Sequence, residues 1–293
     1  MFDDTNNHKS KASDFDPKSV AIAVATYYPK WYKGRLRSVK HTDKVRGDLA
    51  LEFVKTAKKL GYQIVVVNGK APRTFYKELH NIGNITILRR RGKKRSPAKR
   101  QAVKAASKLV GVKVIVLSEP EKVSFLTEGM SYVVKPVLEN RADIVLPKRN
   151  EELFKSTYPD YMYESEVEGN RLYNEILRTN GFLNKSSPDY DMFFGPRVFK
   201  NDPKIVSLFM RRYNVLSSEF FDVDEWSNTV YFPVLLAFKK GLRVQSITVP
   251  FSYPKLQKKN EEVDAEIFLE KRKAQRLGLL VELLRFISFI QKK

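Results

Sequence analysis

The sequence contains no cysteine, which excludes disulfides, thiolate chemistry and cysteine-ligated zinc. Its three histidines, His8, His41 and His80, stand far apart in the chain, so a histidine-based triad or metal cluster is not expected. No apolar run reaches the roughly 20 residues that a bilayer-spanning helix needs. The opening stretch MFDDTNNHKSKASDFDPKS has no apolar core and does not read as a secretory signal. Glycine-rich phosphate motifs are missing too. There is no GxGxxG, and at Gly69-Lys70 a P-loop would need glycine where Ile64 stands and serine or threonine where Ala71 stands. Acidic residues are scarce, with 33 Asp and Glu against 54 Lys and Arg, a formal charge of +21. That excess favours an anionic partner: nucleic acid, a membrane surface or a phosphorylated small molecule. A cytoplasmic location, with room for peripheral membrane contact, is the expectation.

What is present is an apolar share of 42 % over 293 residues, enough to bury a sizeable core. Residues 1–18 read as a disordered leader. Short β-branched runs then alternate with helical patterns. SVAIAVATYYP (19–29), QIVVVNGK (63–70), NITILRR (84–90), VKVIVLSEPEK (112–122) and DIVLPKRN (143–150) predict strands. Between them lie helical patterns at 48–62, with Asp48 as N-cap, at 96–111, with Ser96 as cap and Pro97 in the first turn, and at 124–142, bent near Pro136. Residues 31–47 read as a basic, aromatic loop. This alternation predicts an α/β fold with a mostly parallel, Rossmann-type sheet flanked by helices. Later come a strand at 191–201, a helix at 224–241 capped by Asp224, and a strand at 242–254. A long helix with an apolar final half follows as a C-terminal extension. The expected division is 19–254 as one domain, its nucleotide half 19–150 and its acceptor half 151–254, with 255–293 as an amphipathic helix.

In open parallel sheets ligands sit at the carboxyl ends of the strands. Here those ends are Thr26-Tyr27-Tyr28, Asn68-Gly69-Lys70, Glu119-Pro120-Glu121 and Lys148-Arg149. On an extended backbone Glu119 and Glu121 fall on one side and can share a hard divalent cation, or can pair with nearby Lys122 or Arg100 in a solvated loop. RRRGKKRSPAKR (89–100) holds eight basic residues in twelve and runs into a helix start, where free N–H groups also favour anions. Asp222, Asp224 and Glu225 concentrate acid beside Trp226; either Asp224 or Glu225 could serve as a general base, or simply cap and open the following helix.

Taken in order, these pieces resemble the family 2 glycosyltransferases of the GT-A fold. The resemblance rests on VAIAVATYYP for the first strand, VVVNGK for the second, SPAKRQAVKAAS for the Ala-Arg-Asn helix and VIVLSEPEK for the strand that ends in the metal motif. ADIVLPKRN, FFGPRVF, DEW and GLRVQSITVPFSYP complete it, covering about residues 19–254. It implies a nucleotide-sugar donor and a divalent metal, Mn or Mg, held by Glu119 and Glu121 in the aspartate places. Thr26, Tyr27 and Tyr28 would line the nucleotide site, together with Asn68 where the family has aspartate. Arg100 and Gln101 fall in the Arg-Asn places beside the diphosphate, with Arg95 of the basic cluster adding charge. Asp224 or Glu225 would be the base of an inverting transfer.

Two acceptors suit the charge. The final helix carries Leu277, Leu280, Leu284 and Ile287 as a stripe widened by Phe286, Phe289 and Ile290 and flanked by Lys and Arg, a composition for anionic lipid phosphate. The same pattern also fits a helix packed on its own domain. YYPKWYKGRLRSVKHTDKVR (27–46) interleaves aromatics with Lys and Arg, as nucleic-acid contact requires. The rival readings are a non-catalytic nucleic-acid-binding protein and a sugar-phosphate nucleotidyltransferase.

Overall fold

The computed structural model describes residues 15–92, 94–213, 215 and 227–292. In chain order the elements are β1 (Val20–Thr26), α1 (Thr42–Lys59), β2 (Gln63–Asn68), α2 (Arg73–Ile82), β3 (Thr86–Arg89), α3 (Arg95–Ala106) and β4 (Val114–Leu117). They continue with α4 (Met130–Leu138), β5 (Ile144–Arg149), α5 (Glu151–Thr157), α6 (Asp160–Thr179), β6 (Arg197–Lys200), α7 (Pro203–Met210), α8 (Ser227–Val230), α9 (Phe232–Lys239), β7 (Val244–Val249), α10 (Lys255–Val263) and α11 (Ala265–Gln291).

The seven strands form one sheet in the order β3-β2-β1-β4-β6-β5-β7. Every pairing is parallel except the two made by β6, which runs antiparallel between β4 and β5. The predicted mostly parallel sheet flanked by helices is what the chain forms. Side chains alternate across each strand, and both faces are buried, which is why the strands read as continuous apolar runs. Ala21, Ala23, Val65, Val67, Ile115 and Leu117 face a core closed by α3, α6, α7, α9 and α11. Val20, Ile22, Val24, Ile64, Val66 and Val116 face the opposite core, closed by α1, α2 and α4.

Three local expectations change. The first helix opens at Thr42, inside the stretch read as a loop, so Asp48 is no cap. It sits within the helix and accepts from Lys44 Nζ one turn earlier (2.7 Å) and from Trp31 Nε1 (2.9 Å), the second a contact made by packing against the preceding segment. Helix α3 opens two residues early, with Lys94 rather than Ser96 as N-cap and no side-chain cap hydrogen bond. The segment at 124–142 begins as a π-helical turn, Phe125–Gly129, before α4 carries Pro136 inside it.

The terminal helix α11 is not an appendage. Leu279, Leu283, Phe286, Ile287 and Ile290 are buried in the core, and Phe286 stacks on Phe232 with ring centroids 4.1 Å apart. The stripe read as a lipid-facing surface therefore divides, leaving Leu277 (60 % exposed) and Leu284 (49 %) outside. Among the described residues no helix is long and apolar enough to cross a membrane.

Candidate functional site

A cavity of about 490 Å³ opens at the carboxyl ends of β1, β4 and β5. Its wall takes Thr26, Tyr27 and Tyr28 from β1 and its extension, Ser118 to Lys122 beyond β4, and Arg149 from β5. Arg95 and Lys99 come from one face of α3, four residues apart. Helices α10 and α11 close the far side with Gln257, Glu261, Phe268, Lys271, Arg272 and Gln275. Eight lysines and arginines line the cavity (Arg46, Arg90, Arg95, Lys99, Lys122, Arg149, Lys271, Arg272) against four glutamates (Glu119, Glu121, Glu166, Glu261). Among the described residues the wall thus carries an excess of four positive charges, in a low-dielectric setting where such an excess attracts anions strongly.

The predicted strand ends meet only in part. Thr26 donates to Asn68 Oδ1 at 2.8 Å with both side chains buried, so Asn68 lies behind the wall and braces β1 against β2. Tyr27 is 49 % exposed, and the Arg90 guanidinium lies over its ring at 5.3 Å. Tyr28 turns inward, its ring edge-on to Phe75 and its hydroxyl donating to Glu121 Oε1 at 3.0 Å. Burial foremost, and the Glu121 carboxylate next, hold its phenol well above the ordinary range, so it remains a donor.

On α3 the register differs from the one the resemblance implied. Arg95 and Lys99 line the cavity, whereas Arg100 and Gln101 do not. Gln101 instead clamps the loop after β3, donating to the Arg89 carbonyl (2.8 Å) and accepting from the Arg91 amide (3.2 Å). Asp224 and Glu225, the candidate bases, lie outside the described residues.

Glu119 and Glu121 part company. Strand β4 ends at Leu117, and Pro120-Glu121 form a turn, so the extended spacing that would set both carboxylates on one side is absent. Glu121 goes to Tyr28 and to Arg46, whose Nε is 3.5 Å away. Glu119 Oε1 accepts from Lys99 Nζ at 3.1 Å, while Oε2 has no hydrogen-bond partner and lies against Gly195. A methyl group at Gly195 would overlap that carboxylate. Burial alone would raise the Glu119 carboxyl, but Lys99, Lys122 and Arg197 outweigh it and bring it down to about 2.

This donor set does not fit a resident divalent cation. Such an ion needs several converging oxygens, and among the described residues no group of three His, Asp or Glu side chains converges on one point. Each glutamate is committed to different cations, and the one bare oxygen is sealed beneath the Gly195 backbone.

The cations around Glu119 are buried with it. Lys99 is 6 % exposed, and burial, opposed by Glu119, holds its amine below the ordinary lysine range. Burial does the same to Lys122, whose amine lies 4.7 Å from the Phe194 ring centroid and 5.1 Å from that of Phe251. Lys271, on α11, is lowered by burial and then by three neighbouring cations, Arg46, Arg95 and Arg272. None of Lys99, Arg46, Lys271 or Arg272 was singled out from sequence as a site residue. For Lys99 a signal existed, because it lies one helical turn beyond Arg95. For the α11 pair none did, since they are far downstream in a helix whose apolar half drew the reading.

No family model matches the sequence, and no curated protein matches it. Among solved structures, the chain is similar in form to glucosyl-3-phosphoglycerate synthase from Mycobacterium tuberculosis in complex with Mn2+, UDP-glucose and glycerol 3-phosphate (TM-score 0.49, 6 % identity, 89 % of this chain and 80 % of that one). The complex of that enzyme with Mn2+, UDP and glucosyl-3-phosphoglycerate gives a TM-score of 0.48 at 7 % identity, with the same coverage. A protein of Desulfovibrio desulfuricans G20 described as a nucleotide-diphospho-sugar transferase gives 0.41 at 11 % identity, over 92 % of this chain and 97 % of that one.

Proposed function

We propose that the chain is a glycosyltransferase that moves a sugar from a nucleotide-sugar donor to an acceptor hydroxyl. The observation that carries this reading is the cavity at the strand ends, lined among the described residues by eight cationic side chains against four carboxylates. A nucleoside diphosphate supplies both things that wall lacks, negative charge and a planar group for an exposed aromatic. In this reading the base lies by Tyr27 and Thr26, and the diphosphate lies by Arg95 at the start of α3, where the positive end of the helix dipole adds to the attraction. The sugar points toward the α10–α11 side, where Tyr253, Gln257 and Glu261 form a hydrogen-bonded cluster able to meet hydroxyls. Asp224 or Glu225 is our candidate for the base that takes the acceptor proton.

The acceptor is itself anionic, as lipid phosphate or nucleic acid. Lys33, Arg35, Arg37 and Lys40 are exposed in the segment before α1, and Arg37 lies over the Tyr32 ring at 4.8 Å. That mixture of ring and cation suits a phosphate-bearing polymer better than the half-buried stripe of α11 suits a bilayer.

Calorimetric titration with UDP-, GDP- and dTDP-sugars tests the donor reading. We expect one nucleotide to bind and Arg95→Ala to weaken it. Release of pyrophosphate rather than a nucleoside diphosphate would move the assignment to a nucleotidyltransferase. Absence of binding by any sugar nucleotide, with tight, salt-sensitive binding to DNA or RNA, would move it to a nucleic-acid-binding protein.

A further inference from the structure

Building on the glycosyltransferase reading, we infer that the donor diphosphate is neutralised by the ammonium groups of Lys99 and Lys122, with Arg95 beside them, in the place a divalent cation would otherwise take. Lys99 and Lys122 flank the same carboxylate from two sides of the cavity, one on α3 and the other just past β4. A third cation, Arg197, is fully buried behind them, its guanidinium donating to the carbonyls of Met192, Phe194, Pro196 and Val230. Glu119 thus lies among three cations, and Lys122 also feels Glu166 and Glu121.

Glu119 is held strongly ionised, while burial drives Lys99, Lys122 and Arg197 all below their ordinary ranges. An incoming diphosphate meets cations already fixed in position at the cavity wall. Lys122 is held between Phe194 and Phe251, and Lys99 is held by Glu119. Glu119 thus positions ammonium groups rather than a metal. Gly195 belongs to the same arrangement, because only a residue without a side chain leaves room for the carboxylate at that depth.

The test is calorimetric titration of UDP, GDP and dTDP into the full chain treated with EDTA, repeated with Mg2+ and with Mn2+. The variants are Lys99→Met, Lys122→Met and, as a control on the outer side of α3, Lys104→Met. We expect one nucleotide to bind in EDTA with an affinity that metal changes by less than about twofold. Each cavity variant should weaken it by roughly tenfold or more, and Lys104→Met should leave it unchanged. Lys99→Arg, which keeps the charge, covers the case in which Lys99→Met fails to fold, and should retain most of the affinity. Binding that appears only with Mg2+ or Mn2+ overturns this inference and leaves the donor reading intact. Metal-free binding that survives both Lys→Met changes also overturns it. Failure of every nucleotide under every condition overturns the donor reading itself, and the inference with it.

Discussion

Two buried ionic clusters stand side by side at the strand ends, and they are built to opposite plans. In the first, Arg149 at the end of β5 donates from Nε and Nη2 to Asp191 (2.7 and 2.8 Å) and from Nη1 to Glu166 (2.6 Å), with its guanidinium 3.6 Å from the Phe154 ring centroid. Asp191 also accepts from Asn170 and from the Phe194 amide. Two carboxylates serve one cation, and although burial opposes both charges, Arg149 is raised and Asp191 lowered. In the second, the buried carboxylate of Glu119 lies among Lys99, Lys122 and Arg197, and burial drives all three cations down. The closed cluster matches its cation to two hydrogen-bonded carboxylates and so holds the fold. The open one presents Lys99 and Lys122 to the cavity and so is fitted to take up an anionic ligand.

The comparison breaks first at Arg149. Arg149→Met would leave Asp191 and Glu166 buried without their shared cation, so we expect a loss of about 3–5 kcal/mol in chemical denaturation. A loss under about 1 kcal/mol would show that the cluster is not closed in the sense argued. Acid gives the next largest effect. The Glu119 carboxyl lies at about 2 in the folded chain against an ordinary value of 4.5, so the folded state binds fewer protons between those values. Its contribution, on the order of 3 kcal/mol, is present above about pH 4.5 and is lost as the pH falls toward 2. The stability gap between wild type and the non-titrating Glu119→Gln should therefore close over that window. A gap independent of pH would contradict the ionic account of this carboxylate.

The sheet was legible because its strands are β-branched runs bounded by turn residues, and both buried faces erase any polar alternation. The reversal at β6 was not. Its four residues, Arg197–Lys200, carry no mark of direction, which is set by pairing with β4 and β5. At the site, the strand-end rule gathered Thr26, Tyr27, Tyr28, Glu119, Glu121 and Arg149 correctly into one cavity. It could not say which way each side chain turns. Spacing suggested that Glu119 and Glu121 share a side, but Pro120 begins a turn that sends them apart. Likewise Arg100 and Gln101 matched a motif by position, while the helix presents Arg95 and Lys99. Lys271 and Arg272 reach the cavity only because the later turns of α11 are anchored in the core, a constraint that no local pattern carries.

Gly195 sharpens the contrast at intermediate cost. Gly195→Ala would drive a methyl group into the Glu119 carboxylate, and that carboxylate is pinned by Lys99 rather than free to swing away. Overpacking at such a site costs about 1–3 kcal/mol, and the displaced glutamate should release Lys99. We expect a lower melting temperature together with weaker nucleotide binding. Stability lost with binding unchanged would separate Glu119 from the ligand site.

The smallest expected effect on stability is the most discriminating. Lys122→Met removes a buried charge from the open cluster, as Arg149→Met does from the closed one, and both changes keep an unbranched apolar side chain. If the two clusters differ as argued, Lys122 returns its desolvation cost when deleted, and Glu119 still keeps Lys99 and Arg197. The methionine can remain between Phe194 and Phe251, where a thioether packs well against rings. Denaturation should therefore register a change of less than about 1 kcal/mol, while nucleotide affinity falls by roughly tenfold or more. A loss of stability equal to that of Arg149→Met would make the two clusters equivalent, with Lys122 serving the fold and not the ligand.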